Sequence, residues 1–148
     1  MGRLSTLAKA IEAELKTSCP VTPVEISRRP LPVVELEALK GLHLVIIPRS
    51  RNREMASRED DDFTIEIDVA VHKHLERGDQ VELDALTDQV EEIAAFLSDR
   101  PLADDAAARW MDDQIEPVWA PDHLAEHNVF SSVIRLTYLV SGTRGTAE

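Results

Sequence analysis

The sequence predicts an α+β fold: a mainly antiparallel sheet with an N-terminal helix and one long central helix packed on it. Three observations predict it. Apolar residues recur at three- and four-residue spacing in two places, Leu4, Leu7, Ala8, Ile11 and Leu15 near the start and Leu83, Leu86, Val90, Ile93 and Leu97 in the middle. That is the pattern of a helix buried along one stripe. Phe63, Ile65, Ile67, Val69 and Val71 alternate with polar or small residues, the two-residue period of a strand buried on one face. The element order, a helix, two strands, a helix and two strands, suits antiparallel strand runs with helices on one side of the sheet.

Residues 3–17 read as the first helix, ended by Ser18, Cys19 and Pro20. Residues 21–27 fit a short edge strand, because Pro23 lacks the donor that a central ladder needs. Pro30 and Pro32 mark an irregular crossing. The apolar run 42–47, bounded by Gly41 and Pro48, reads as a buried strand. Residues 49–62 then read as an extended loop of divided charge. Arg49, Arg51, Arg53 and Arg58 come first, interrupted by Glu54, and Glu59, Asp60, Asp61 and Asp62 follow without a break. Such a loop is costly to order in an isolated domain, so it is expected to be mobile alone and to order on docking.

The strand 63–75 is followed by a turn at Gly78 and Asp79 and by the main helix, 81–98. On that helix Asp84, Asp88 and Glu92 stand four apart, and such like-charge pairs oppose it by about 0.2–0.5 kcal/mol each. Packing of the apolar stripe must outweigh this, helped by Glu82 and Asp84 near the positive helix N-terminus. In residues 106–119, Trp110, Ile115 and Trp119 favour a strand, while Asp112, Asp113 and Pro117 favour a bulge or bend. Pro121 and Asp122 open a turn or a single helical turn. Residues 129–140 form the last strand, with Phe130, Ile134, Leu136, Tyr138 and Val140 on one face, and 141–148 read as a flexible tail. Residues 1–140 thus read as one domain.

A chain of 148 residues with 43% hydrophobic and 30% charged content is long enough for one buried core. No apolar run approaches the ~20 residues that span a bilayer, and the N-terminus has no secretory h-region. The single cysteine, Cys19, excludes an intrachain disulfide and favours a reducing compartment. The net charge of −12 is uneven, because residues 79–116 hold twelve acids against Arg100 and Arg109. That region repels nucleic-acid phosphates, whose binding relies on lysine and arginine. It reads as a solvated acidic face, or as a surface that lies near DNA without adhering to it.

No catalytic constellation emerges. His123 to His127 spell H-x-x-E-H, a zinc-ligand spacing on a helix; so close to the next strand it reads better as a polar turn. His72 and His74, with Glu66 and Asp68 along the same strand face, have the spacing of paired imidazole ligands. The residues between them are the buried ones, so a solvated outer face is the simpler reading. Asp104-Asp105 and Asp112-Asp113 read as turn chemistry, and Cys19 has no activating neighbour in sequence. No glycine-rich phosphate loop, G-x-S-x-G or H-E-x-x-H is present. Catalytic residues, metal ligands and cofactors are therefore not assigned, and Trp110 and Trp119 read as core or subunit contacts. One pairing explains both charge excesses: the arginines of one copy against the acidic helix of the next. The interface candidates are Arg49, Arg51, Arg53, Arg58, Asp60, Asp61, Asp62, Asp84, Asp88, Glu91 and Glu92.

The stretches VIIPRS (45–50), FTIEIDVAVHKHL (63–75) and VFSSVIRLTYLV (129–140), set around LDALTDQVEEIAAFL (83–97), resemble the tail terminator, or tail-to-head joining, proteins of tailed bacteriophages and prophages. The resemblance spans residues 4–140 and lies in element order and residue texture. It implies a non-enzymatic virion protein of the tail or neck, assembled in the host bacterial cytoplasm. It also implies a closed ring of identical subunits, commonly a hexamer, seated between the tail tube protein and the head connector, through which DNA passes without specific binding. Another neck or minor tail protein, or a small cytoplasmic adaptor, would share these features. A metal-dependent enzyme would rest on His72 and His74.

Overall fold

Alternation of apolar residues along three long strands turns one face of a sheet into the core, and two amphipathic helices close it. The computed structural model describes residues 2–21, 25–39, 41–55, 60–116 and 118–143. The elements run α1 (Arg3–Ser18), β1 (Glu25–Ser27), α2 (Val33–Leu36), β2 (His43–Met55), β3 (Asp60–His74), α3 (Gln80–Leu97), β4 (Arg109–Ile115), α4 (Pro121–His127) and β5 (Val129–Thr143). They build a five-stranded sheet in the order β1-β2-β3-β5-β4. Among the described residues the short edge pair β1–β2 is parallel and the remaining pairs are antiparallel. This is the predicted α+β class.

The core lies where the periodicities put it. Leu7, Ala8, Ala10, Ile11 and Leu15 of α1 and Leu86, Val90, Ile93, Ala94 and Leu97 of α3 are buried against Leu44 and Ile46 of β2, Ile65, Ile67, Val69 and Val71 of β3, and Ile134, Leu136 and Tyr138 of β5. The Asp79 side chain caps α3 by accepting from the Glu82 amide at 2.9 Å. Two ion pairs tie α1 to the segment after α3: Arg3 to Asp105 at 3.0 Å and Arg100 to Glu14 at 2.8 Å. Gly78 has φ +71, and a Cβ there would meet the Asn128 side-chain oxygen at 3.2 Å, so this turn needs its glycine.

The segment 49–62 is not an extended loop. β2 continues through Arg49, Arg51 and Arg53 to Met55, and β3 begins at Asp60. After a bulge between Pro48 and Ser50 the pairing runs unbroken from Ser50↔Glu66 to Met55↔Asp61. Order here does not wait for a second chain, because a ladder anchored on buried residues continues once one register is set. Charge on both faces hides the alternation that marks a strand. Arg58 and Glu59 lie outside the described residues. The predicted tail is corrected in the same way: β5 runs to Thr143, opposite Asp60, leaving only 144–148 outside the description.

Smaller elements also differ. α2 forms on the Pro32 carbonyl, which accepts from the Glu35 and Leu36 amides. Residues 121–127 make a complete short helix with a proline in its first turn and Asn128 (φ 53) closing it. The β4 bulge falls at Met111, beside the predicted aspartates. The second sheet face is not solvated throughout. At one end Val45, Ala70, Val129 and Ser131 are buried, together with Leu36 of α2.

Tyr138 raises an accounting question. Its hydroxyl is fully buried with no hydrogen-bond partner among the described residues, and burial, then the nearby Glu14 carboxylate, push its pKa up. An unpaired buried hydroxyl costs about 1–3 kcal/mol. Tyr138→Phe is therefore expected to raise the urea midpoint at pH 7, by about 1 kcal/mol of stability; an unchanged or lowered midpoint means that the hydroxyl has a partner.

Candidate functional site: a charged strand edge and an acidic helix

The tip of the β2–β3 hairpin is built around Phe63. Arg51 and Arg53 lie opposite Ile65 and Phe63 on the core side of the sheet. Their guanidinium carbons each stand 5.1 Å from the Phe63 ring centroid. Planar cations over an aromatic face shield the ring where it nears solvent, and each contact is worth about 0.5–1 kcal/mol when exposed. Arg53 also reaches the buried Asp61 at 3.7 Å. On the opposite face Arg49 and Arg135 both approach Asp68 at 3.4 Å, Ser50 donates to Glu66 at 2.9 Å, and Ser141 donates to Asp62 at 2.6 Å.

The predicted interface residues therefore divide. Arg49, Arg53 and Asp61 come together with Asp68 in one hairpin, and Asp62 joins them through β5. Asp60 takes its place in the ladder opposite Thr143. Asp84, Asp88, Glu91 and Glu92 stay apart, exposed on α3. Among the described residues none of those four is in an ion pair; Asp84 accepts from Gln80 at 2.7 Å. Arg49 and Arg53 thus find acids in their own hairpin, while these four acids of α3 form no ion pair among the described residues.

β4 carries a second unpaired group that sequence reasoning did not select. Asp112 and Asp113 are adjacent, and with Glu116 they form no ion pair among the described residues. Burial, then the neighbouring Asp112, raise the Asp113 pKa. Met111, at the bulge between Trp110 and Asp112, is 49% exposed. The signal was present as an Asp-Asp pair in an edge strand, but a turn explains the same letters. Trp119 donates to the Thr87 hydroxyl at 2.9 Å and Trp110 packs on the core, so both are structural. A cleft of about 370 Å³ beside β4, lined by Arg100, Arg109, Trp110, Leu139 and Ser141 among others, contains neither histidine nor cysteine.

The histidines gather where the sequence could not place them. His72 and His123 both direct Nδ1 at the Ser131 hydroxyl, at 2.8 and 2.7 Å. At least one ring must donate, since the hydroxyl has a single proton to give and two lone pairs that accept. His43 lies opposite His72 and contacts Ser27 at 3.1 Å, with Glu25 at 3.4 Å on its other nitrogen. His127, one turn from His123, reaches Glu37 at 3.5 Å. Burial, then His123 and His43, lower the His72 pKa to about 4. Among the described residues no three His, Cys, Asp or Glu side chains are arranged to hold a metal ion. Ser131 engages the Nδ1 of His72. Cys19 is half-buried, and burial raises its thiol pKa, against a nucleophilic role.

No protein-family model matches this chain, and no curated protein matches its sequence. No helix among the described residues is long and apolar enough to cross a membrane.

Proposed function

We propose that this chain is a ring-forming structural protein of the head–tail junction of a tailed phage or phage-derived particle. In this role the ring caps the last layer of the tail tube, ends its growth and presents its other face to the head connector. The observation that carries this reading is the separation of charge between elements: arginines on β2, and on β4 and the outer face of α3 the acids Asp84, Asp88, Glu91, Glu92, Asp112 and Asp113, which form no ion pair among the described residues. A closed ring needs two different patches that fit one another, whereas a two-fold dimer needs one patch that fits itself. Acidic α3 surfaces also suit a channel that DNA crosses without adhering, because phosphate binding requires cations. The residue-texture resemblance to tail terminators supports the same role.

Native mass spectrometry of the purified protein, alone and with its tail-tube partner, tests this. A single closed oligomer that arrests tube growth is expected. A protein that stays monomeric at assembly concentrations and leaves tube length unchanged overturns the reading.

A further inference from the structure

The geometry points to the contact itself: β4 of one copy adds to the open edge of β2 in the next, so that a continuous sheet runs from subunit to subunit. This inference rests on the ring reading and specifies its interface. Among the described residues β2 has an outer strand partner only along His43–Val45, opposite β1. Residues 46–55 end the sheet on that side, and β4 ends it on the other. Open edges present unpaired amides and carbonyls, a template for strand addition. The seven residues of β4 fit within the ten of the β2 edge.

Direction supports the match. β2, β3, β5 and β4 alternate in direction, so β2 and β4 run opposite ways. A copy in the same orientation, placed with its β4 beside this β2, continues the antiparallel ladder without a parallel pair.

Charge selects this pairing over the symmetric ones. The β2 edge, residues 46–55, holds three arginines and one glutamate; β4 with its flank, residues 109–116, holds one arginine and three acids. Pairing β2 with β2 sets arginine against arginine, and β4 with β4 sets aspartate against aspartate, which is unfavourable across strands. Pairing β2 with β4 joins opposite signs on each face. Arg51 and Arg53 share the helix-covered face with Asp113, which sits opposite Leu136, while Arg49 shares the other with Asp112, opposite Thr137. The existing contacts of these arginines do not preclude this, since each guanidinium has five N–H donors. The exposed Met111 adds apolar surface beside the β4 edge.

The test uses the full chain in two charge-reversed variants, Arg51→Glu with Arg53→Glu, and Asp112→Lys with Asp113→Lys. Each alone is expected to self-associate about tenfold or more weakly, because like charges then face each other. Mixing them restores assembly, with the two variants in equal numbers, since each reversed edge meets its reversed partner. Circular dichroism checks that both variants fold. If either does not, oxidative cross-linking of Asn52→Cys with Gln114→Cys chains, in a Cys19→Ser background, supplies the reading: mixed cross-links support the pairing, and like-with-like cross-links alone overturn it. A wild-type oligomer unaffected by both reversals, or a folded pair that fails to rescue on mixing, overturns this interface and leaves the ring standing. A wild-type protein that is monomeric throughout overturns the ring itself.

Discussion

Glu82→Gln is expected to lower folding stability at pH 7 by about 2–3 kcal/mol, the cost of losing charge-assisted hydrogen bonds to a partly buried carboxylate. The Glu82 side chain, 11% exposed, accepts from the backbone amides of Glu76, Arg77 and Gly78 at 3.0, 2.9 and 2.8 Å, and from the Lys73 ammonium at 3.3 Å. Those donors line the turn between β3 and α3, so one carboxylate fixes the angle at which the main helix leaves the sheet. Burial alone would raise its pKa, but the three amides and then Lys73 outweigh it and hold the group at about 2. A carboxylate lowered on folding contributes stability that is present above its unfolded value, near 4.5, and lost as pH falls towards 2. Urea midpoints of wild type should therefore fall across that window, and those of Glu82→Gln should be lower at pH 7 and flatter below pH 4.5. Equal midpoints at pH 7 would remove Glu82 from this role.

A second acid step, at higher pH, is expected from His72. Its imidazole is lowered to about 4 on folding, first by burial and then by the charges of His123 and His43. The sign is that of a base kept neutral in the fold: the unfolded chain binds the proton first. Stability is complete above about 6.5 and declines as pH falls towards 4, by at most about 3 kcal/mol for this group. His43, lowered chiefly by burial against the opposing pull of Glu25, adds to the decline. His72→Gln retains a partner for Ser131 and removes the titration. It should cost about 1 kcal/mol at pH 7 and become more stable than wild type near pH 4.5, so that the two stability curves cross. Parallel curves over this range would show that His72 is protonated without penalty.

Much of this architecture can be read before any coordinates. Both helical stripes and the alternation from Phe63 to Val71 specify which surfaces turn inward, because burial of apolar side chains is the dominant favourable term and its period is set by local backbone geometry. Leu83 and Leu4 lie at the margins of their stripes, and the structure buries them only partly. The Asp-Asp pair likewise marked the neighbourhood of the β4 bulge.

Charged residues carried less. Arg49 to Asp62 look like a loop because their letters lack alternation, yet cross-strand pairing continues through them. Their ladder is stabilised by β3 and by the far end of β5, which is 69–83 residues away in sequence in that register. The same limit hid the histidine cluster. His72 and Ser131 meet only because β3 and β5 pair in one register, and His123 joins them because α4 folds back over that face. Local chemistry chose the elements and their inward faces. Register and strand order, which depend on contacts between distant segments, decided which charges neutralise one another within the chain and which acids, on the outer face of α3 and at the β4 edge, form no ion pair among the described residues.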